Sequence, residues 1–275
     1  MTLLVAWVGV DTHGPASMYI ASDSRISWEP GVNFDQGRKV FAFSNHPDIL
    51  GYCGDVLFPS IALNQIVQLA DAGLLFKAGF TAKEKFQAIV KKLNHLCAAY
   101  PKLHSGLAAN SLQIIHASRE TSNNKQFFCH SISWSKGDGW KGKTVEFPQQ
   151  SDILFALGSG SPEFKHNYQR YQSGPNKSTS RNVFHCFCDT LNNTTDKQVG
   201  GAPQIVGLYR KPDSIAVNFG VIYMRSRHFL GARIDDLKDL STNVEWRNEN
   251  FELCDGNSMA KLEKAQTQPD PMRRL

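Results

Sequence analysis

The second residue of the chain carries the two groups that amide hydrolysis by a terminal residue requires. Thr2 follows Met1, and a small second residue permits removal of the initiator methionine. The new terminal threonine would carry a hydroxyl and a free α-amine, whose ordinary pKa of about 7.7–8.0 leaves a useful neutral fraction at physiological pH. Because that amine can accept the hydroxyl proton, Thr2 alone could supply both nucleophile and general base. The prediction depends on the loss of Met1, because a retained Met1 would bind the Thr2 nitrogen in a peptide bond, where it cannot act as a base.

Such a nucleophile also needs a nearby cation, and a donor for the negative charge that develops during the reaction. Lys39, in the stretch GRKVF, can supply the cation, and Asp23, in ASDSR, can position it. Backbone N–H groups near Gly51, in GYCGD, can donate to the oxyanion. Taken singly, a strand-end aspartate is usually a turn former and a lysine is usually solvated. It is their joint order that points to chemistry.

The segments around these residues have the pattern of short strands bounded by turn residues. The first four predicted strands are Leu3–Val10, Ser17–Ala21, Lys39–Phe43 and Ile49–Cys53. Two predicted helices follow them. Asp55 and Pro59 mark the first turn of one, and the other opens with a capping box at Thr81–Glu84 and ends before Pro101.

The second half of the chain shows the same order of elements. Further strands are predicted at Leu112–His116, Gln126–Ile132, Lys143–Phe147 and Ile153–Leu157. One helix then begins at Ser161-Pro162, and an apolar stripe from Val183 to Leu191 indicates another. The last predicted strands are Gln204–Tyr209 and Ile215–Tyr223.

This order indicates an α+β chain, because a parallel doubly wound sheet would need strict β–α–β alternation. It suits two sheets stacked face to face, with a pair of helices outside each. No linker divides the first part of the chain, so we predict one domain over residues 1–234. Residues 235–275 are more polar and are expected to form a partly disordered extension, with a loose tail from Gln266.

Composition and charge exclude several classes of protein. The 275 residues are 41% hydrophobic, and their net charge of +5 is scattered, apart from a glycine-rich cluster with Lys136, Lys141 and Lys143 that is typical of a solvated hairpin rim. The apolar start lacks a basic flank and is too short to span a membrane. Six cysteines without a CxxC pair indicate free thiols in a reducing compartment. We therefore expect a soluble cytoplasmic protein without a metal, cofactor, nucleic-acid or membrane partner.

A glycine-rich stretch, GSGSP at Gly158–Pro162, fits neither motif that it first suggests. A dinucleotide-binding loop needs a third glycine at position 163, which is Glu163. A nucleophile elbow of the form G-x-S-x-G needs a serine flanked by glycines at that spacing, and neither Ser159 nor Ser161 has them. The remaining interpretation is a tight strand-to-helix turn that Ser161 caps.

In their order along the chain, Thr2 and the stretches at 21–25, 37–41 and 51–55 resemble the successive signatures of proteasome β subunits and their bacterial relatives. ALGSGS at 156–161 and VGG at 199–201 resemble two further signatures of that family. The similarity extends from about Thr2 to Tyr223. It implies the four-layer αββα sandwich of the N-terminal-nucleophile (Ntn) hydrolases, which agrees with the element order.

The resemblance also implies a role for each matched residue. Thr2 would be the nucleophile, Asp23 and Lys39 its charged partners, and Gly51 the oxyanion donor. Ser159 and Asp196 would hold the terminal amine and a catalytic water, and Arg25 would be a structural arginine. The first specificity pocket would be lined by Ile26, Ser27, Phe41, Ile49 and Cys53. An apolar lining favours a large apolar side chain before the cut bond, with simple core packing as an equally weighted alternative.

The sequence departs from the family pattern in two places. The stretch between Thr2 and Asp23 is longer than usual, and we expect the extra residues in a loop around Thr12–Ala16. Val199 stands where the family usually places a serine beside the terminal amine. The second departure indicates either a different hydrogen-bond network or a site no longer used for turnover.

Three functions remain open from the sequence. The first is a threonine endopeptidase in a homo-oligomeric ring or stack, which would cut peptides or unfolded proteins, with a separate ATPase as partner. The second is a hydrolase of small amides that acts alone, and the third is a scaffold or sensor without turnover. An exposed apolar helix surface would favour assembly. Charged helix faces would favour the lone hydrolase, and the helix from Thr81 carries Lys83, Lys85, Lys91 and Lys92 outside its apolar stripe.

Overall fold

The computed structural model describes residues 2–29, 31–101, 112–123, 126–135, 137–212, 214–238, 240, 243–263 and 265. Within these residues the chain forms four helices: α1 (Leu57–Asp71), α2 (Ala82–Ala99), α3 (Ser161–Tyr171) and α4 (Ser180–Asn193). The strands of the first half are β1 (Leu4–Asp11), β2 (Gly14–Ser22), β3 (Ile26–Glu29), β4 (Val32–Phe34), β5 (Val40–Ala42), β6 (Asp48–Gly54), β7 (Leu112–Arg119), β8 (Phe127–Ser135) and β9 (Gly139–Thr144). Those of the second half are β10 (Asp152–Leu157), β11 (Gln204–Tyr209), β12 (Val217–Tyr223), β13 (Ser226–Phe229), β14 (Ala232–Arg233), β15 (Glu245–Asn248) and β16 (Leu253–Cys254).

The strands of the described residues form two main sheets and a hairpin. The larger sheet has the order β10-β1-β2-β11-β12-β13-β14, and β15 and β16 continue from β12. The smaller sheet has the order β5-β6-β7-β8-β9, and β3 pairs with β4 alone. The fold is therefore mixed α/β, as the alternation of strand blocks and helix pairs predicts.

Local sequence signals explain where the helices begin. Thr81 and Glu84 form the predicted capping box at the start of α2. The Asp55 carboxylate accepts a hydrogen bond from the Phe58 N–H at 3.0 Å, which satisfies one of the free donors in the first turn of α1. The prediction that Ser161 caps α3 is wrong, because Ser161 is already helical and Gly160 occupies the N-cap.

Three apolar clusters show how the elements pack. One lies between α3–α4 and the larger sheet, with Trp7, Phe164, Phe184 and Phe187 at its centre. Another lies between α1–α2 and the smaller sheet. The third, which we call the inter-sheet cluster, combines side chains of both sheets: Leu4, Ala6, Val8, Met18, Ile20, Val206 and Leu208 with Val40, Ala42, Ile49, Cys53, Ile115, Ala117 and Cys129. The helices of the described residues include none long and apolar enough to cross a membrane.

The structure differs from the sequence-based prediction in two local features of the strands. The extra residues before Asp23 lengthen strands rather than a loop, since Asp11 pairs with Gly14 and only Thr12 and His13 form the turn. The strand expected at Lys143–Phe147 lies earlier, at β9, where Gly142 pairs with Ile132. Lys141 and Lys143 lie on this strand, while Lys136 falls outside the described residues.

A buried charge also corrects the interpretation of α2. Lys85 was expected on the exposed face, but it is buried and its Nζ lies 2.8 Å from Asp48 Oδ2. The second oxygen of Asp48 contacts His116 Nε2 at 2.9 Å. A charged partner on the strand beneath therefore outweighs the helix pattern at this position. All six cysteines are buried free thiols.

The chain beyond residue 234 packs on the larger sheet. β15 runs parallel to β12, with Trp246 opposite Gly220. A Cβ atom at Gly220 would lie 2.4 Å from the Trp246 ring, and one at Gly256 would lie 2.3 Å from its Nε1. These two glycines make room for the indole. The division of the chain at residue 234 stays a prediction, and the tail from Gln266 lies outside the described residues.

Truncation of this indole tests how much the segment contributes to stability. We expect Trp246→Ala to lower the free energy of unfolding by about 3–5 kcal/mol, because Trp246 is only 4% exposed and its removal leaves a cavity. Chemical denaturation measures the change. Trp28→Ala is the matched control: that side chain is 67% exposed, and we expect a change within about 0.5 kcal/mol. Equal effects of the two substitutions would contradict the packing described here.

Candidate functional site

Thr2, Lys39 and Asp23 meet at one end of the two sheets. Lys39 Nζ donates a hydrogen bond to Thr2 Oγ1 at 2.8 Å and another to Asp23 Oδ1 at 2.8 Å. Thr2 precedes β1, Asp23 follows β2, and Lys39 precedes β5, so the larger sheet supplies two of the residues and the smaller sheet the third. The Lys39 and Asp23 side chains are fully buried, and Thr2 is buried too.

Backbone donors surround the carboxylate of Asp23. Its Oδ1 also accepts from the Leu3 N–H at 3.1 Å, while its Oδ2 accepts from the N–H groups of Gly200 at 3.2 Å and Arg25 at 3.3 Å. A buried charge pair is tolerated only when further hydrogen bonds replace the lost water. These donors satisfy that requirement and fix the carboxylate, so that Lys39 is held in a defined position beside the Thr2 hydroxyl.

Arg25 braces the loop that brings Gly200 to this carboxylate. Its guanidinium makes a two-pronged ion pair with Asp35 at 2.7 and 2.8 Å, and it donates to the carbonyl oxygens of Lys197 and Val199. The bond to Arg25 holds the pKa of the Asp35 carboxyl below its usual value. Arg25 thus has the structural role expected of it, and Asp35 is a partner that the sequence patterns did not indicate.

The glycine-rich turn after β10 packs directly on the backbone of Thr2. The Gly160 N–H donates to the Thr2 carbonyl oxygen at 3.3 Å. Gly158 has φ +89°, and a Cβ atom there would lie 1.9 Å from the same oxygen. Only glycine can take this conformation and this close approach, so the turn serves to hold the start of the chain.

Two glycines at the end of β6 differ in the direction of their N–H groups. The Tyr52 N–H donates to the Lys39 carbonyl at 3.1 Å, on the β5 side of the strand. Because directions alternate along a strand, the Gly51 N–H is directed towards β7, where Gly51 pairs with Ile115. The Gly54 N–H is directed to the Lys39 side, and Gly54, with φ +105°, ends the strand. Both glycines belong to the GYCGD stretch, and the role of Gly51 as oxyanion donor stays a prediction.

Ser159 lies in the turn after β10, and Asp196 lies in the loop before β11. Ser159 lies in the exposed part of the turn between Gly158 and Gly160. The Asp196 carboxylate accepts from the Gln198 N–H at 2.9 Å, within its own loop. Among the described residues, no hydrogen bond joins either side chain to Thr2.

The five residues expected to line a specificity pocket do not form one wall. Phe41 packs in the cluster beneath α1 and α2, whereas Ile49 and Cys53 belong to the inter-sheet cluster on the opposite face of the smaller sheet. Ile26 and Ser27 are half-buried on β3. Phe41, Ile49 and Cys53 are thus buried in apolar clusters, and the lining of a specificity pocket stays a prediction. Burial also raises the pKa of the Cys53 thiol to about 11, which keeps it protonated at neutral pH.

A cavity of about 730 Å³ is lined partly by the 194–202 loop, and Thr2, Asp23 and Lys39 are not among the described residues that line it. Its lining includes Arg25, Asp196, Val199, Tyr223 and His228. Val199, which replaces the expected serine, is buried and packs against the cluster of α3 and α4. Gly200, which lines this cavity, also donates to the Asp23 carboxylate.

The architecture is similar to a proteasome-like fold. Three solved structures of Anbu share it, each with a TM-score of 0.52. They are a Gly-1 mutant from Hyphomicrobium sp. strain MC1 (12% identity, covering 78% of this chain and 85% of that one), Anbu, an ancestral β-subunit, from Yersinia bercovieri (8%, 78% and 86%), and a helical assembly of the Anbu complex from Pseudomonas aeruginosa (16%, 79% and 86%). No protein-family model and no curated protein sequence matches the chain. The resemblance to proteasome β subunits is thus supported at the level of the fold.

The contact between Gly158 and Thr2 can be tested by comparing two glycines. Gly158→Ala and Gly14→Ala both place alanine at a positive φ, +89° and +98°, but only Gly158 faces a neighbouring backbone atom. We expect Gly158→Ala to lower the free energy of unfolding by about 1–3 kcal/mol more than Gly14→Ala, because it adds overpacking to the shared strain. Denaturant titration gives both values. Indistinguishable values would contradict the close approach to Thr2.

Proposed function

We propose that the chain is an N-terminal threonine peptidase, which loss of Met1 activates. The observation that carries the proposal is the buried contact of Lys39 Nζ with both Thr2 Oγ1 and Asp23 Oδ1, each at 2.8 Å. A fully buried lysine that is fixed by a carboxylate has no simple packing role at this position. It stabilises negative charge on the threonine oxygen and lowers the pKa of an amine placed beside it.

The reaction would follow from the groups around Thr2. The neutral α-amine takes the proton of the hydroxyl as Oγ1 attacks the carbonyl carbon of the substrate amide. The tetrahedral intermediate then collapses to an ester on Thr2, and the amine returns the proton to the departing nitrogen. Water, activated by the same amine, cleaves the ester and restores the free hydroxyl. Asp23 keeps Lys39 in place through both halves of the reaction.

We assign the oxyanion donor to Gly54 instead of Gly51. The Gly54 N–H is directed to the side of β6 on which Lys39 lies, whereas the direction of the Gly51 N–H suits the ladder with β7. A Cβ atom at Gly51 would also lie 2.6 Å from Ile20, so the need for glycine there is explained by packing between the sheets. Ser159 and Asp196 remain proposed partners of the terminal amine and a water.

Assembly into a homo-oligomer is the second part of the proposal. Leu57 and Ile61 lie one turn apart on α1 and are about half exposed, at 58% and 48%. An exposed apolar helix surface favours assembly over a hydrolase that acts alone. The Anbu structure from Pseudomonas aeruginosa is a helical assembly, which supports the same choice. The three apolar clusters support the four-layer αββα arrangement, in which α1 and α2 form part of an outer layer. A separate ATPase remains a proposed partner.

A scaffold without turnover is the second candidate, and Val199 favours it. A valine has no hydroxyl to offer the terminal amine, and the side chain of Val199 is buried in the cluster beneath α3 and α4. Retention of Thr2, Asp23 and Lys39 in hydrogen-bond contact argues for turnover instead. The two candidates differ in one observable property, which is the reactivity of Thr2.

Labelling of Thr2 by a peptide epoxyketone distinguishes them. We expect intact-mass analysis to show a chain without Met1 that gains one adduct, and Thr2→Ala to gain none. Lys39→Met should label about 100-fold more slowly or worse, because the cation no longer stabilises the reacting oxygen.

The matched control for this experiment is Lys83→Met, an exposed lysine on α2, which should label at the rate of the unmodified sequence. Retention of Met1, or an adduct that persists in Thr2→Ala, would overturn the proposed peptidase. Rates of hydrolysis of peptides and of small amides are then compared between the labelled and the unlabelled protein. The substrate class whose hydrolysis the label abolishes distinguishes an endopeptidase from a small-amide hydrolase.

The choice of oxyanion donor is tested at Gly54. We expect Gly54→Ala to lower kcat by about 100-fold, because an alanine disfavours φ +105° and turns the N–H away from the reacting carbonyl. Gly73→Ala, at φ +71° with open space around it, is the control and should leave kcat unchanged. Steady-state peptide hydrolysis measures both. If Gly54→Ala has the same kcat as the control, the Gly54 N–H is not the oxyanion donor.

A further inference from the structure

The side chain of Gln204 lies between the two strand ends that carry Asp23 and Lys39. Gln204 opens β11 in the larger sheet, opposite Ser22 of β2, and it is fully buried. Its Oε1 accepts from the Lys39 N–H at 2.8 Å and from the Val40 N–H at 3.3 Å. Its Nε2 donates to the Asp23 carbonyl at 3.0 Å and to the Gly37 carbonyl at 2.8 Å.

All four partners are backbone groups, and together they use the full capacity of the amide. The Oε1 faces two donors and the Nε2 faces two acceptors, so the amide has one favourable orientation. Rotation by half a turn would set oxygen against oxygen and N–H against N–H. A single rigid plane therefore connects the end of β2, in the larger sheet, to the start of β5, in the smaller one.

The connection matters because it supplies one of the two hydrogen bonds that hold the backbone of Lys39. Its carbonyl accepts from the Tyr52 N–H at 3.1 Å, and its N–H is held by Gln204. Between this backbone and the Nζ lies a flexible four-carbon stem. A small displacement of the backbone would move Nζ away from Thr2 Oγ1 or from Asp23 Oδ1, and both contacts are at 2.8 Å.

The turn before β14 shields the Gln204 side-chain amide from water. A Cβ atom at Gly231 would lie 3.3 Å from Gln204 Nε2 and 3.1 Å from the Gly37 carbonyl oxygen. The backbone at Gly231 thus covers the amide from outside, and Arg233 adds a hydrogen bond from its N–H to Gln36 Oε1 at 3.0 Å. Hydrogen bonds shielded from water hold their partners more tightly than exposed ones.

We propose that Gln204 is a positioning residue for the Thr2 reaction, which holds Lys39 against Thr2 and Asp23 by fixing the backbone of both charged residues across the sheets. The inference rests on the proposed peptidase function. Gln204 touches none of the reacting atoms, and it acts through Lys39. Its loss should weaken the influence of the lysine charge on the α-amine, whose pKa then rises towards its ordinary value.

The test compares Gln204→Met with a distant buried substitution. The methionine keeps the length of the side chain and removes all four hydrogen bonds. We expect kcat to fall by about 100-fold with KM nearly unchanged, since a misplacement of about 1 Å has effects of this size. The acid limb of the pH–rate profile should move to higher pH, because an amine with a raised pKa is neutral only at higher pH.

Thr190→Val is the matched control. Thr190 is fully buried and donates to the Cys186 carbonyl within α4 at 2.8 Å, away from the site. We expect it to lose stability while its acid limb stays in place. If Gln204→Met does not fold, Gln204→Asn is measured in the same way. It keeps a neutral amide on a side chain one carbon shorter, which no longer reaches all four backbone partners, so the same fall in kcat and the same movement of the acid limb are expected.

Two results would overturn the inference, and they are distinguishable. A folded Gln204 variant with the kcat and the acid limb of the unmodified sequence would contradict the positioning role alone, because Thr2 would still react. An unmodified sequence that shows no Thr2-dependent reaction with the epoxyketone would overturn the peptidase proposal, and the positioning role with it.

Discussion

Burial of the charge pair between Lys39 and Asp23 is the constraint on which the surrounding structure depends. Neither side chain is exposed, so each has lost its hydration. Removal of one partner from such a pair typically costs about 3–5 kcal/mol, because the other charge stays buried and uncompensated. The pair is therefore stable only while backbone groups around it stay in place. The N–H groups of Leu3, Arg25 and Gly200 supply this compensation from three separate segments.

This requirement explains why distant parts of the chain converge at one point. The Arg25–Asp35 pair holds the loop that carries Gly200, and the Gly158–Gly160 turn holds Thr2 from the other side. Gln204 and the backbone at Gly231 close the gap between the two sheets. The segment beyond residue 234 packs Trp246 on β12 of the same sheet. The position of one lysine ammonium thus depends on contacts from both sheets.

Much of this could be predicted from the sequence, and the failures have physical causes. Strand blocks and helix pairs follow from periodicity and caps, which are local properties, and the capping box at Thr81 is an example. Thr2, Asp23 and Lys39 were found through their order along the chain. Lys85 was misjudged because its partner, Asp48, is 37 residues away and a helix pattern contains no information about it.

The same limit applies to the details of the site. Whether Gly51 or Gly54 directs its N–H towards Lys39 depends on the hydrogen-bond register of β6, which a sequence motif does not specify. Phe41 and Ile49 lie on opposite faces of the smaller sheet for the same reason. Gln204 gave no signal, since a glutamine at the start of a strand has no motif and its four partners come from Asp23, Gly37, Lys39 and Val40.

The influence of the Lys39 charge on the start of the chain can be tested directly by a titration. In the protein without Met1, a ¹⁵N label at Thr2 reports the pKa of the α-amine by NMR. A lysine ammonium in hydrogen-bond contact with the same residue should hold this pKa below the ordinary range of about 7.7–8.0. We predict such a depressed pKa, and its return to the ordinary range in Lys39→Met. An α-amine that titrates within or above the ordinary range, and is unmoved by Lys39→Met, would contradict this prediction.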